Sequence, residues 1–157
     1  MTSRFATPDD VETYLRVRFD YFASEGWAVI NEMKESLIFN LRIYFETHLN
    51  QDFFVSFLER DAVVVSTAFL TVNTIPPNLF APTGKYGTIL NVLTYPDYRR
   101  KGYATLVLKS LIRKAGEEGL SYLQLSASKA GQPLYRKLGF NTRENTGFTE
   151  MRLALLS

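Results

Sequence analysis

The chain has no cysteine. That removes disulfides, thiolate metal sites and a cysteine nucleophile at once. Its single histidine, His48, argues against a His-rich metal centre and against a Ser-His-Asp hydrolase, so no metal is expected. Charge of one sign is scarcely in excess: 18 Lys and Arg face 16 Asp and Glu, a net of +2. Nucleic-acid-binding domains are usually more basic or gather their cations in a stripe. The basic run Arg99-Arg100-Lys101 is only three residues long, so no nucleic-acid partner is expected. No stretch approaches the roughly 18 apolar residues of a membrane helix. Met1–Asp10 lacks the apolar core of a signal peptide. The expectation is a cytoplasmic protein with no membrane partner. What is present is an ordinary globular composition: 157 residues, 46% hydrophobic and 22% charged, enough for one domain spanning 1–157. Aromatics reach 14%, which implies a deep core or a lined cleft without saying which.

The hydrophobic period changes along the chain. A short start at Ser3–Ala6 leads to Pro8-Asp9-Asp10, which opens a helix. Val11, Tyr14, Leu15, Phe19 and Phe22 give that helix one apolar face, and Gly26 ends it. A second helical pattern carries Ile30, Met33, Leu37, Leu41, Tyr44, Phe45 and His48. Phe53–Leu58 and Ala62–Val72 then read as a β-hairpin around Glu59-Arg60-Asp61. The prolines of Ile75–Gly84 make an excursion loop. Gly87–Tyr95 reads as a strand, broken by Pro96. A long helix follows Gly102, then a short strand at Tyr122–Leu125. A short helix at Gly131–Leu138 is stopped by Gly139, and Phe148–Leu155 alternates as a last strand. The order β-α-α-β-β-β-α-β-α-β predicts an α+β (mixed α/β) fold. Its strand–helix–strand unit at Gly87–Leu125 implies one locally parallel pair in a sheet otherwise joined by hairpins.

One stretch carries chemistry. Tyr98-Arg99-Arg100-Lys101-Gly102-Tyr103-Ala104 runs from a strand end through three cations and a glycine into a helix. A helix N-terminus offers unpaired N–H groups and partial positive charge. A glycine there admits close backbone approach, and neighbouring cations attract a multiply charged anion. The segment is a pyrophosphate cradle in physical terms. It contains neither Gly-x-x-x-x-Gly-Lys-Ser/Thr nor Gly-x-Gly-x-x-Gly, so it is no P-loop and no ordinary dinucleotide fingerprint.

Arg99-x-x-Gly102-x-Ala104 resembles the Gln/Arg-x-x-Gly-x-Gly/Ala signature of the GCN5-related N-acetyltransferase (GNAT) superfamily. Asn91–Arg99 is similar to that family's fourth strand running into its pyrophosphate loop. Leu134-Tyr135-Arg136-Lys137-Leu138-Gly139-Phe140 is similar to its Leu-Tyr-x-x-x-Gly-Phe segment. The resemblance implies a central, mostly antiparallel sheet whose parallel fourth and fifth strands splay apart, with acyl-coenzyme A in the gap. It implies pantetheine contacts at the backbones of Val92, Leu93 and Thr94, with Ser128 standing where many relatives carry an Asn. Arg99 belongs to the signature itself. Pyrophosphate contacts fall on Arg100, Lys101, Gly102, Tyr103, Ala104 and Thr105, mostly through N–H groups. A Cβ at Gly102 would collide with the loop or the ligand.

The implied reaction is direct attack of an amine on the thioester of acetyl-CoA. Tyr135 takes the family position of the acid that protonates the thiolate, and the Val92 or Leu93 amide is the candidate donor to the carbonyl oxygen. No carboxylate lies between Thr83 and Tyr95, so the family's usual base is missing. Asn91 either orients a water or is a satisfied core amide. The missing base leaves a non-catalytic acyl-CoA sensor as the alternative. Glu59 and Glu150 read first as surface carboxylates, and His48, on the apolar side of the second helix near its end, as a packed or C-terminal histidine. Phe19, Phe22, Trp27 and Tyr44 belong to the core or wall an acceptor site. The loop Ile75–Gly84 covers the acceptor or builds a homodimer contact.

Overall fold

Secondary structure changes where the hydrophobic period changes. The computed structural model describes residues 1–143 and 147–156. They form two compact units, Met1–Ser126 and Ala127–Ser157. The first contains β1 (Ser3–Phe5), α1 (Val11–Ser24), α2 (Asn31–His48), β2 (Phe53–Arg60), β3 (Val63–Thr74), β4 (Lys85–Thr94), α3 (Tyr103–Glu117) and β5 (Leu123–Gln124). Single 3-10 turns at Pro8–Asp10 and Pro96–Tyr98 lead into α1 and the α3 loop.

The five strands form one mixed α+β sheet in sequential order, β1 to β5, antiparallel except for the β4–β5 pair. The hairpin turn is tighter than the sequence suggests. Glu59 and Arg60 stay in β2, and Asp61-Ala62 alone reverse the chain at φ +51° and +61°. Two successive left-handed residues make the type I′ turn that matches strand twist.

β2 is buried on both faces, which is why it reads as a continuous run rather than an alternation. Phe53, Val55 and Phe57 join Tyr14, Val17, Phe45 and Phe69 in one apolar cluster under α1 and α2. Tyr14 stacks on Phe45 at 4.6 Å between ring centres. The alternate residues of β2 meet α3: Ser56 hydrogen-bonds Ser110 at 2.7 Å, and the Lys114 ammonium lies 4.8 Å above the Phe54 ring. At the start of α1 the Thr7 amide donates to Asp10, whose carboxylate is forked by Arg4. Arg4 also reaches Glu59, which ties β1 to β2.

The second unit contains α4 (Gln132–Lys137). Its expected last strand is not there. Phe148–Leu155 alternates as a strand does, yet it takes no strand pairing. Phe148, Met151, Leu153 and Leu155 are 82% to 93% exposed. Alternation specifies a strand only when a neighbouring edge receives its ladder, and none does so among the described residues. β5 is likewise shorter than expected, two residues rather than four.

Candidate active site

β4 is irregular at one point. Across the β3–β4 pair, Phe69 faces Leu90 and Thr67 faces Leu93, so two residues of β4, Asn91 and Val92, stand opposite Ala68 alone. This is a β-bulge. Its first residue, Asn91, has φ +54°, a region that Asn enters more readily than most residues. The Asn91 side chain is buried and committed at both ends. Its oxygen accepts from Arg18 Nη1 at 3.1 Å, and its nitrogen donates to the Val17 carbonyl at 3.4 Å. Asn91 therefore bolts the bulge to α1, as a satisfied amide would.

β5 pairs only with Gly87 and Thr88. Among the described residues, β4 from Ile89 to Thr94 has a strand neighbour on the β3 side alone. The parallel pair opens there, and the second edge of β4 offers backbone groups that an amide-bearing arm can satisfy. Val92 and Thr94 are half-buried and Leu93 is buried. The Leu93 carbonyl already accepts from the Ser66 hydroxyl, and the Thr94 carbonyl accepts from Arg99 Nε at 3.0 Å.

The turn after β4 delivers Gly102 at φ +78°, directly before α3. A Cβ built there meets nothing within 4 Å, so the expected collision with the loop is absent. The glycine is required by its left-handed backbone. Among the described residues no side chain caps α3, whose first amides belong to Tyr103, Ala104 and Thr105. Two of the cations brace the loop: Arg99 reaches Thr94, and Lys101 Nζ reaches the Asp97 carbonyl at 2.9 Å. Arg100, exposed, holds φ +61°. An unobstructed glycine, an uncapped helix start and a one-sided strand edge fit the pyrophosphate and amide arm of an acyl-coenzyme A.

In the second unit, the physical reason for Leu-Tyr-x-x-x-Gly-Phe is visible. Gly139 takes φ +95° after α4, its amide donates to the Arg136 carbonyl, and the Phe140 amide donates back to the Tyr135 carbonyl. That is a Schellman stop, and it folds Phe140 against the Tyr135 ring, 6.1 Å between centres. Ser128 Oγ accepts the Gly131 amide at 3.1 Å, turning the chain into α4.

The other named residues have local roles. Glu59 pairs with Arg4, and His48 bonds Asp52 at 2.7 Å while stacking on Tyr44. Tyr44 packs on Phe53 in the core, whereas Phe19, Phe22 and the exposed Trp27 form a separate aromatic row. Glu150 is exposed. The loop 75–84 closes on itself, with Ile75 N–H bonded to the Gly84 carbonyl and Asn78 accepting from two amides ahead of it; Leu79 and Phe80 point outward.

Sequence reasoning missed three residues at the α1–β4 contact. Arg18 holds Asn91. The Tyr95 hydroxyl, just past β4, donates to Asp20 at 2.5 Å. Burial first, then that bond to a carboxylate, pushes the Tyr95 phenol up to about 12. Asp20 is one of several charged residues on an amphipathic helix, with nothing in the sequence to single it out. Among the described residues no group of three His, Cys, Asp or Glu side chains could hold a metal, and no helix is long and apolar enough to cross a membrane.

A mixed sheet that opens at its parallel pair, with a glycine turn feeding an uncapped helix, defines an acyl-coenzyme A transferase fold. The Acetyltransferase (GNAT) family model matches residues 14–140, and the chain belongs to that family. Among solved structures it is similar to a predicted acetyltransferase from Clostridium acetobutylicum, crystallised with acetyl-CoA. The two are 28% identical, with 96% of this chain and 95% of that one covered and a TM-score of 0.83. A GCN5-related N-acetyltransferase from Ralstonia eutropha is 24% identical over 98% and 97% of the chains, with a TM-score of 0.79. Glucosamine-6-phosphate N-acetyltransferase from Arabidopsis thaliana shares the fold at 15% identity, 99% coverage of both chains and a TM-score of 0.68. No curated protein matches the sequence.

Proposed function

We propose that the protein is an acetyl-CoA-dependent N-acetyltransferase acting on a primary amine by direct attack. One observation carries this: the one-sided edge of β4 is followed, after the 3-10 turn Pro96–Tyr98, by the Gly102 turn and the uncapped start of α3. The similarity to a relative crystallised with acetyl-CoA supports the donor.

Acetyl-CoA, when bound, supplies an acetyl group on a thioester. The residues of this chain do the rest. The amides of Gly102, Tyr103, Ala104 and Thr105 hold the diphosphate, and Val92, Leu93 and Thr94 align the amide arm. The Val92 or Leu93 N–H steadies the charge that gathers on the carbonyl oxygen. Tyr135 gives its proton to the departing sulfur. The attacking amine, near pKa 10.4 when free, loses a proton before it reacts.

The absence of a carboxylate from Thr83 to Tyr95 favours one second reading, an acyl-CoA sensor without turnover. A single assay separates them: thiol release from acetyl-CoA with a panel of amines, for wild type and Tyr135→Phe. Catalysis predicts release with at least one amine, and a fall of about 10²-fold in kcat for the variant. Cofactor affinity should stay within about twofold, because phenylalanine keeps the ring contact with Phe140. Tight cofactor binding without release for any amine would leave the sensor.

A further inference from the structure

Among the cations of the first unit, the Arg18 guanidinium is held by an amide and a ring but by no carboxylate among the described residues. It is half-buried on α1. Nη1 donates to Asn91, and the guanidinium carbon lies 4.5 Å over the Phe22 ring. Those two contacts fix its plane. Its other donors, of the five that a guanidinium carries, have no partner among the described residues. No carboxylate there lies within ion-pair distance of it, whereas Arg4, Arg42, Arg60 and Arg113 all face one. Asp20, on the same helix, is held by Tyr95. Burial disfavours the Arg18 charge, and the groups it senses most are the phenols Tyr14 and Tyr21. A cation taken out of water without a counter-ion is costly, and an arriving anion offsets that cost.

Its position is specific. Asn91 is the bulge residue immediately before Val92, where the amine would attack. In the same β3–β4 pair, the Thr67 hydroxyl, fully buried opposite Leu93, has no hydrogen-bond partner among the described residues. We infer that Arg18 binds an oxyanion carried by the acceptor. The acceptor class is then an amine that also bears a carboxylate or a phosphate, gripped by a planar fork suited to two parallel N–H···O bonds. A polyamine lacks that handle. This inference rests on the acetyltransferase reading for the identity of the amine, and on geometry alone for the anion.

The test uses matched acceptors, an amino acid against its methyl ester and phosphoethanolamine against ethanolamine, with wild type, Arg18→Gln and Arg18→Lys. The expected result is that Arg18→Gln lowers kcat/KM about tenfold to hundredfold for the anionic member of a pair and within threefold for its neutral mate. Arg18→Lys recovers part of the loss. The pair that responds distinguishes carboxylate from phosphate. An equal fall for both members would mean that Arg18 serves only the bulge, and the inference fails. Should Arg18→Gln not fold, a wild-type preference for the neutral members, with no differential loss in Arg18→Lys, overturns it equally. Thermal shifts with acetate and inorganic phosphate, against chloride at equal ionic strength, read the anion site without turnover. A shift in wild type that Arg18→Gln loses supports the site even if no amine is acetylated, in which case only the acetyltransferase reading falls. No turnover and no shift removes both.

Discussion

Asn91 and Gly102 both stand at positive φ, one inside β4 and one just before α3, and the chain holds them there by opposite means. Asn91 is buried, and its side chain is fastened to Val17 and Arg18. Gly102 is exposed, and nothing lies within 4 Å of where its Cβ would be. The bulge is enforced by tertiary contacts, whereas the turn is permitted by a missing side chain. The first irregularity therefore belongs to the stability of the fold and the second to its freedom to meet a ligand.

The strongest way to break this contrast is Asn91→Ala. A left-handed alanine costs about 1–2 kcal/mol, and stranding the Arg18 donor and the Val17 carbonyl costs about 1–3 kcal/mol more. The expected loss is about 2–5 kcal/mol, the sum of the two, read from the urea midpoint at unchanged slope. Asn91→Gly removes the backbone part and should lose less. Two variants equally unstable would show that φ contributes nothing there.

Gly102→Ala tests the other arm. Its stability loss should be about 1–2 kcal/mol, from φ alone. Affinity for acetyl-CoA should fall about tenfold, because the amides of the first α3 turn leave their aim. Gly102→Asn should fall less, since asparagine tolerates the left-handed region. Calorimetric titration checks both. Alanine and asparagine behaving alike would point to a steric requirement that the free protein does not contain.

The same contrast explains what the sequence disclosed. A glycine behind three cations, between a strand and a helix, is a local pattern, so the turn, α3 and the order of elements through α4 could be read directly. The bulge left no such mark. Leu90-Asn91-Val92-Leu93 reads as plain strand, and the reason for its extra residue lies in α1, more than seventy positions away. Arg18 looked like any polar residue on an amphipathic helix for the same reason. Phe148–Leu155 erred in the other direction: its alternation is genuine, but a strand needs an edge, and composition cannot supply one. The end of α4 was legible because its motif is a local device, a helix stop that closes through Gly139 and Phe140.

A smaller effect sharpens the α1–β4 side. Tyr95 secures the end of β4 to Asp20, so Tyr95→Phe should cost about 1 kcal/mol. Burial pushes Tyr14 up to about 12 as well, and Tyr95 rises equally. Both phenols ionise near 10 when unfolded. The folded protein thus keeps protons that the unfolded chain releases, and stability present below pH 10 falls as pH rises toward 12. Denaturant midpoints at pH 8, 10 and 11 should decline in that order, with Tyr14 and Tyr95 among the tyrosines that titrate late by ultraviolet absorbance. In Tyr95→Phe the decline should be shallower.

The smallest effect concerns the cations of the turn. Arg99 and Lys101 spend their hydrogen bonds on the loop carbonyls of Thr94 and Asp97, at the surface. Exposed contacts of that kind contribute little, so Arg99→Ala and Lys101→Ala should each change stability by no more than about 0.5 kcal/mol. If backbone amides carry the diphosphate, either substitution should weaken acetyl-CoA binding only about twofold to threefold, well short of Gly102→Ala. Their shared signature is salt: the residual difference from wild type should shrink as ionic strength rises, because long-range attraction is screened while short amide contacts are not. A tenfold loss in Arg99→Ala that persists in high salt would mean that the guanidinium leaves Thr94 and grips the ligand directly. The turn would then be built like the bulge, from a side chain, and the contrast between them would collapse.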